Sequence, residues 1–219
     1  YRAAKYDMEK DFETVAVVAD TPMLFVANPK AGIKSFADLI AQAKARPDDL
    51  TIGSPSRGSV PHLSGELLEQ MTGAHLRNVP MGTSGQAIQS VVGGDTNVSV
   101  DGIAPLLPLV KAGRIQALAV TSRQVLPGLE GYPLAKDTVP DLVLSGWFML
   151  FASKGTPAAR VKALNEAVNA ALKSPQLIQK LQTSATYPVG GSVADARLFL
   201  TREKSLWAGA IKKAGLEAE

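Results

Sequence analysis

Residues 51–68, TIGSPSRGSVPHLSGELL, decide how the rest of the chain is read. Leu50 to Ile52 is a short apolar run of strand character. A small-residue loop follows, Gly53, Ser54, Pro55, Ser56, Arg57 and Gly58. Ser59 then stands where a helix N-cap belongs, and Pro61 lies in the first turn, where its missing N–H costs nothing. Leu63, Leu67 and Met71 repeat at four-residue spacing, so the pattern predicts a helix that Gly73 ends. A strand, a loop of small residues and a helix N-terminus bring several N–H groups together under a positive dipole, which suits an anion. The same pattern also describes an ordinary turn. The spacing of Gly53 and Gly58 is that of a P-loop, but Ser59 and Val60 stand where that motif needs Lys followed by Ser or Thr. The cation that grips a nucleotide's terminal phosphates is therefore missing. Hydroxyls, N–H groups and one arginine suit a small carboxylic acid instead.

Working outward, the chain alternates strand and helix. Thr14 to Ala19 and Met23 to Ala27 read as two successive strands separated by Asp20, Thr21 and Pro22. Ser35 to Asp38 starts a helix with Phe36, Leu39, Ile40 and Ala43 on its apolar face. Leu76 to Val79 is a further strand, leading into Met81, Gly82, Thr83, Ser84 and Gly85 and a helix with Ala87, Ile88, Val91 and Val92 inside. Val98 to Val100 closes on Asp101, a helix opens near Pro105, and Ile115 to Val120 is again strand-like. This alternation predicts an α/β fold with a mostly parallel sheet. Beyond it, Val143 to Ala152 is a long apolar run. Thr156 with Pro157, Ser174 with Pro175, and Ser192 with Asp195 mark three helix starts. Val161, Leu164, Val168 and Leu172 form one expected buried face, and Leu198, Leu206 and Ile211 another, with Trp207 as a core aromatic.

Ligands of open α/β sheets bind beyond the carboxyl ends of the strands. Three such ends carry polar groups: Ser54 to Ser59, Thr83 with Ser84, and Asp101. Asp101 reads either as a turn acid or as an acceptor for a ligand's amine or hydroxyl. His62 at the helix start reads as a surface or capping residue rather than a catalyst. The candidate ligand-contacting set is Ser54, Ser56, Arg57, Gly58, Ser59, His62, Thr83, Ser84 and Asp101.

Composition bounds the remaining classes. The 219 residues are 46% hydrophobic and 20% charged, with a net charge of +3. The basic residues are scattered and aromatics are few, so neither a nucleic-acid stripe nor a stacking platform is visible. No apolar stretch is long enough to cross a bilayer. There is no cysteine, which suits an oxidising compartment. There is no metal-ligand spacing and no G-x-S-x-G elbow, and the site groups are donors without an evident base or nucleophile. The reading is a binding protein, not an enzyme, without metal or cofactor. The chain starts at Tyr1 rather than Met, as in a processed or trimmed product.

Three stretches resemble the substrate-binding receptors of tripartite tricarboxylate transporters, the Bug-type receptors: GSPSRGSVPHLSGELLEQMTG, GGDTNVSVDGIAPLLPLVKAGRIQALAVTS and SGWFMLFASKGTPAARVKALNEAVNAAL. Their order and spacing agree from about Asp11 to Gly215. The resemblance implies a type II periplasmic-binding-protein-like fold of two lobes with a hinge. On that pattern residues 1–29 and 146–219 form lobe 1 and residues 30–145 form lobe 2, the ligand-binding α/β lobe, with crossings near Thr21 and Gly146. It implies a periplasmic, exported receptor that captures a small carboxylate or amino-acid-like ligand in an interlobe cleft and hands it to membrane permease subunits of a tripartite transporter. Ser54, Ser56, Gly58 and Ser59 then match the loop that meets a ligand carboxylate, Ser84 a hydroxyl position after Val79-Pro80, and Asp101 an acid at a strand end. Two departures stand out. Met81 and Gly82 replace the aromatic and basic residues common after the Val-Pro pair, and nothing matches the family's opening βα units. Lobe 1 is therefore expected to be incomplete in this chain, its helices lacking sheet partners, with a homodimer through that lobe as one way to cover them. An effector-sensing domain of a transcription regulator shares the fold and is the alternative. An α/β enzyme acting on a small acid is the more remote one.

Overall fold

The computed structural model describes residues 5–216. Residues 1–4 and 217–219, which the sequence assigns to the ends of lobe 1, lie outside the described residues. The chain divides into two compact units, Pro22–Gly146 and the combination of Tyr1–Thr21 with Trp147–Glu219. Each has its own sheet.

The Pro22–Gly146 unit holds the second half of β1 (Phe12–Ala27), then α1 (Phe36–Ala45), β2 (Thr51–Ser54), α2 (Val60–Thr72), β3 (Arg77–Pro80), α3 (Ser84–Gly93), β4 (Val98–Gly102), α4 (Ile103–Lys111) and β5 (Gln116–Val120). The strand order is β3-β2-β4-β1-β5. β2 pairs in parallel with β3 and with β4, whereas β1 runs antiparallel to β4 and β5. The mixed sheet is buried: Phe25, Leu24, Ile52, Ile103, Leu106 and Leu118 are all at most 1% exposed. The helix starts follow the sequence. The hydroxyls of Ser35, Ser59 and Thr83 each accept the N–H three residues on, and Gly73 and Gly94 end α2 and α3 in left-handed backbone. Met71 leaves the expected apolar stripe of α2 and is 36% exposed, while Leu63, Leu67 and Leu68 carry the buried face.

The other unit is built on the first half of β1, β6 (Ser145–Ser153) and β7 (Tyr187–Pro188), with β6 and β7 both pairing to β1. Its helices are α5 (Ala158–Ala171), α6 (Pro175–Thr183) and α7 (Val193–Lys213). Ser192 and Asp195 form a full capping box at the start of α7. Val15, Ala16 and Val161 make a small core against Leu150, Ala152, Val168 and Val193.

Four expectations change here. Residues 14–19 and 23–27 are not two strands but parts of one 16-residue strand. Pro22 restricts the residue before it to extended backbone, which a strand accepts as readily as a turn, and neighbours on both sides extend the ladder: Asp20 pairs Tyr187 and Met23 pairs Gly102. Thr156 does not cap α5. Its hydroxyl donates to the Ser153 carbonyl at 2.7 Å, and the helix starts at Ala158 without a side-chain cap. Helix α5 does find a sheet partner, since Val161 is 5% exposed against β1, but Leu164 is 43% exposed. The buried position next to Val161 belongs to Asn165, whose Nδ2 donates to the Val15 carbonyl at 2.9 Å and the Gly191 carbonyl at 3.0 Å. In α7, Leu198 and Ile211 are exposed and Ala196, Leu200 and Ala210 are buried, a face rotated from the expected one.

Asn165 thus fastens α5 to β1 and to the turn before α7. Asn165→Ala is expected to destabilise the fold by about 1–3 kcal/mol, because the buried Val15 carbonyl loses its side-chain donor while the Gly191 carbonyl keeps Asn169 Nδ2, whereas Leu164→Ala on the exposed side should cost well under that. Urea denaturation of both variants measures the difference.

Candidate functional site

In the Pro22–Gly146 unit, three parallel strands deliver their carboxyl ends side by side, with β2 between β3 and β4. Each end leads into a helix N-terminus: β2 into α2, β3 into α3 and β4 into α4. The unpaired N–H groups of three first turns therefore converge on one edge of the sheet. The strands approach closely. A Cβ on Gly53 would lie 3.0 Å from Thr96 Oγ1, so glycine is what lets β2 sit against that side chain.

At the end of β2, Ser54 is 1% exposed and its hydroxyl donates to Asn78 Oδ1 at 2.9 Å. Its carbonyl accepts the Met81 N–H at 2.8 Å, tying the two connections together. The following loop turns on Gly58, whose φ of 80° is left-handed. The Ser59 N–H donates to the Ser56 carbonyl at 3.1 Å, and the Ser59 hydroxyl accepts the His62 N–H at 3.3 Å. The Gly58 N–H donates to His62 Nδ1 at 3.4 Å. His62 is thereby a buried part of the loop, 4% exposed, which fits the capping alternative of the sequence reading and not the surface one. With Nδ1 accepting, the ring proton sits on Nε2, 3.9 Å from Glu66 Oε1. Burial holds the imidazole below its ordinary value of 6.5, Glu66 pulls it up, and the nearby Arg57 guanidinium pushes it further down. Ser56 and Arg57 are exposed at the loop tip.

At the other two strand ends, Thr83 spends its hydroxyl on α3, accepting the Gln86 N–H at 3.3 Å and donating to Gln86 Oε1 at 2.9 Å. Ser84, the first residue of α3, donates its hydroxyl to Asp101 Oδ2 at 2.5 Å. Asp101 is 8% exposed, and its Oδ1 accepts the Gly102 N–H at 2.7 Å. Its carboxylate stands just before α4, whose N-terminus has no side-chain cap.

The candidate residues accordingly fall into two groups. Ser56, Arg57, Gly58, Ser59 and His62 form one loop with Ser54 beneath it, and Ser84 with Asp101 form a bonded pair on the neighbouring connections. Thr83 serves α3. Two loop N–H groups expected for a ligand, those of Gly58 and Ser59, are taken by His62 and Ser56. Asn78 was not among the candidates. A carboxamide next to Val79-Pro80 at the carboxyl end of the strand was the available signal, and its carbonyl oxygen fixes the Ser54 hydroxyl. Among the described residues there is no cluster of His, Cys, Asp and Glu that could hold a metal ion.

The family profile described as "Tripartite tricarboxylate transporter family receptor" matches residues 1–216. The protein BugT of Bordetella pertussis is 31% identical over 211 residues, covering 96% of this chain and 65% of BugT. A UPF0065 protein of Agrobacterium vitis is 31% identical over 195 residues, covering 89% of this chain and 56% of its own. The chain thus spans less than two thirds of the length of these relatives. A solved R. palustris protein with adipate superposes with a TM-score of 0.80 at 35% identity, covering 98% of this chain and 72% of that one.

The depressed His62 sets a pH dependence. The unfolded chain binds this proton more tightly than the folded one, so the stability tied to neutral His62 is present above pH 6.5 and falls away as the pH drops below it. His62→Asn retains an acceptor for the Gly58 N–H and cannot titrate. Its stability relative to the parent should rise from pH 7 to pH 5, measured by urea denaturation at matched ionic strength.

Proposed function

We propose a function on one premise: the chain belongs to the tripartite tricarboxylate transporter receptor family. In this reading it is a periplasmic solute-binding receptor, not an enzyme, that captures a small carboxylate and presents it to the membrane permease of a tripartite transporter. The observation that carries the reading is the likeness, over 98% of the chain at 35% identity, to a protein solved with adipate.

The ligand's carboxylate is taken at the start of α2, by the loop from Ser56 to Ser59, where hydroxyls, the helix dipole and Arg57 all favour negative charge. Ser84 and Asp101 meet the ligand's other polar group. Because the Ser84 proton goes to Asp101, the pair presents acceptors rather than donors. A hydroxyl or ammonium on the ligand is therefore favoured at that end over a second bare carboxylate. The loop N–H groups of Gly58 and Ser59 act through shape, holding the loop open toward solvent, and His62 is a positioning residue beneath them.

Thermal-shift and titration calorimetry with adipate, a hydroxy-dicarboxylate and an acidic amino acid test this. At least one should raise the melting temperature, since a ligand that binds only the folded state stabilises it. Ser84→Ala should weaken that ligand about tenfold, equivalent to roughly 1.4 kcal/mol. Asp101→Asn should weaken the amino acid more than adipate. If no acid shifts the melting temperature, or if both variants bind as tightly as the parent, the assignment fails.

We also propose that the unit carrying β6 self-associates. Phe148 on β6 is 60% exposed, and Leu164 and Leu198 are 43% and 50% exposed. β6 pairs only with β1 among the described residues, which leaves its outer edge available for another strand. Sedimentation velocity should show a concentration-dependent dimer that Phe148→Asp weakens. A monomer at every concentration overturns it.

A further inference from the structure

A cavity of about 410 Å³ opens at the amino end of β1, wholly within the unit that carries β6. Small-molecule sites run from about 300 to 1,000 Å³, so its size admits a ligand. The start of β1, Lys154 just past β6 and one stretch of α7 enclose it. Part of the lining is apolar: Met8, Phe12 and Leu200. Leu200 is 8% exposed. The Phe12 ring is met edge-on by Tyr6 and Phe151, with centroids 5.9 and 6.2 Å away.

The rest of the lining is charged or polar. Glu13 is one carboxylate between two cations. Lys154 Nζ lies 3.0 Å from its Oε1, and an Arg197 guanidinium nitrogen lies 3.6 Å from its Oε2. The Lys154 bond holds the Glu13 carboxyl below its ordinary value of 4.5 against the effect of burial, and Arg197 acts in the same sense. Glu13 is therefore ionised at neutral pH, and it balances only one of the two positive charges. Glu9, the other acid of the lining, is taken by Lys204 at 2.8 Å. An ammonium has three donors and a guanidinium five. Lys154 and Arg197 thus bring more donors than one carboxylate can answer.

Thr14 gives the second, independent sign of a ligand. It lines the cavity, is 9% exposed, and is followed along the strand by the buried Val15, Ala16 and Val17. Its hydroxyl has no hydrogen-bond partner among the described residues. A buried hydroxyl left unpaired costs stability that valine, of the same shape, would avoid.

We propose that this cavity binds a small amphipathic monocarboxylate, its carboxylate set between Lys154 and Arg197 and bonded by Thr14, its apolar body laid on Phe12 and Leu200. One uncompensated positive charge matches one carboxylate. A second carboxylate would meet the like charges of Glu9 and Glu13. An ammonium on the ligand would find both acids already paired. The site thus selects differently from the one proposed at the start of α2, whose residues belong to the other unit.

Octanoate is the probe, titrated into the nitrogen-15-labelled full chain and followed by heteronuclear NMR. Saturable shifts should gather at Thr14, Lys154 and Leu200. Octanamide, with the same body and no charge, should bind about tenfold more weakly, and Arg197→Gln should weaken octanoate by a similar factor. Thr14→Val keeps the shape and drops the hydroxyl, so it should weaken octanoate about threefold. Shifts confined to the Ser56 to Ser59 loop, no saturable shift at all, or equal binding of octanamide overturns the proposal. Should either variant fail to fold, the comparison of octanoate with octanamide on the parent chain decides.

Discussion

Both units of this protein are assembled against the two edges of β1. In the Pro22–Gly146 unit its carboxyl half lies between β4 and β5, antiparallel to both, and in the other unit its first half carries β6 and β7. A strand buried on both faces has to be apolar nearly throughout, and Val15 to Val17 and Met23 to Ala27 meet that demand. Between these two runs the centre, Asp20 to Pro22, is polar or lacks an N–H, and that is where the chain passes from one unit to the other. Thr121 secures this point on the Pro22–Gly146 side: its hydroxyl accepts the Met23 N–H at 2.8 Å and bonds the Leu144 carbonyl at 2.7 Å. One side chain thereby joins β1, the end of β5 and the return to β6.

The parallel arrangement of β2, β3 and β4 follows from the same sheet. Parallel neighbours require crossover helices, and the crossovers place three helix N-termini along one edge. Once there, the polar residues do not wait unpaired. Ser54 finds Asn78, Ser84 finds Asp101, and His62 finds Gly58. Such internal bonds fix the direction of each hydroxyl, so a ligand at the proposed site would meet groups whose donor or acceptor sense is already set. Preorganisation of this kind lowers the ordering cost of binding.

The second unit shows the same economy with different groups. Asn165 and Asn169 both hold the Gly191 carbonyl, and Asn169 Oδ1 accepts the Gly191 N–H at 2.9 Å, so the turn into α7 is fixed by carboxamides on α5. α7 is then tied to β6 through Glu203. Polar side chains carry this unit's tertiary connections where its apolar core is small.

The sequence by itself determined the alternation of strands and helices, most of their caps, Thr156 excepted, and the family. Ser35, Ser59, Thr83, Ser174 and Ser192 each bond an N–H three residues on, and Gly73 and Gly94 end their helices. These interactions close within one helical turn, so spacing along the chain reveals them. Asn165 reaching Val15, Trp147 reaching Glu203 and Ser54 reaching Asn78 were invisible because their partners are far apart in sequence. The same holds for Asp20 to Pro22, which reads equally well as a turn or as the middle of a strand. Only the tertiary structure decided between them, because the ladder partners Tyr187 and Gly102 supply the hydrogen bonds that a local turn would otherwise have made.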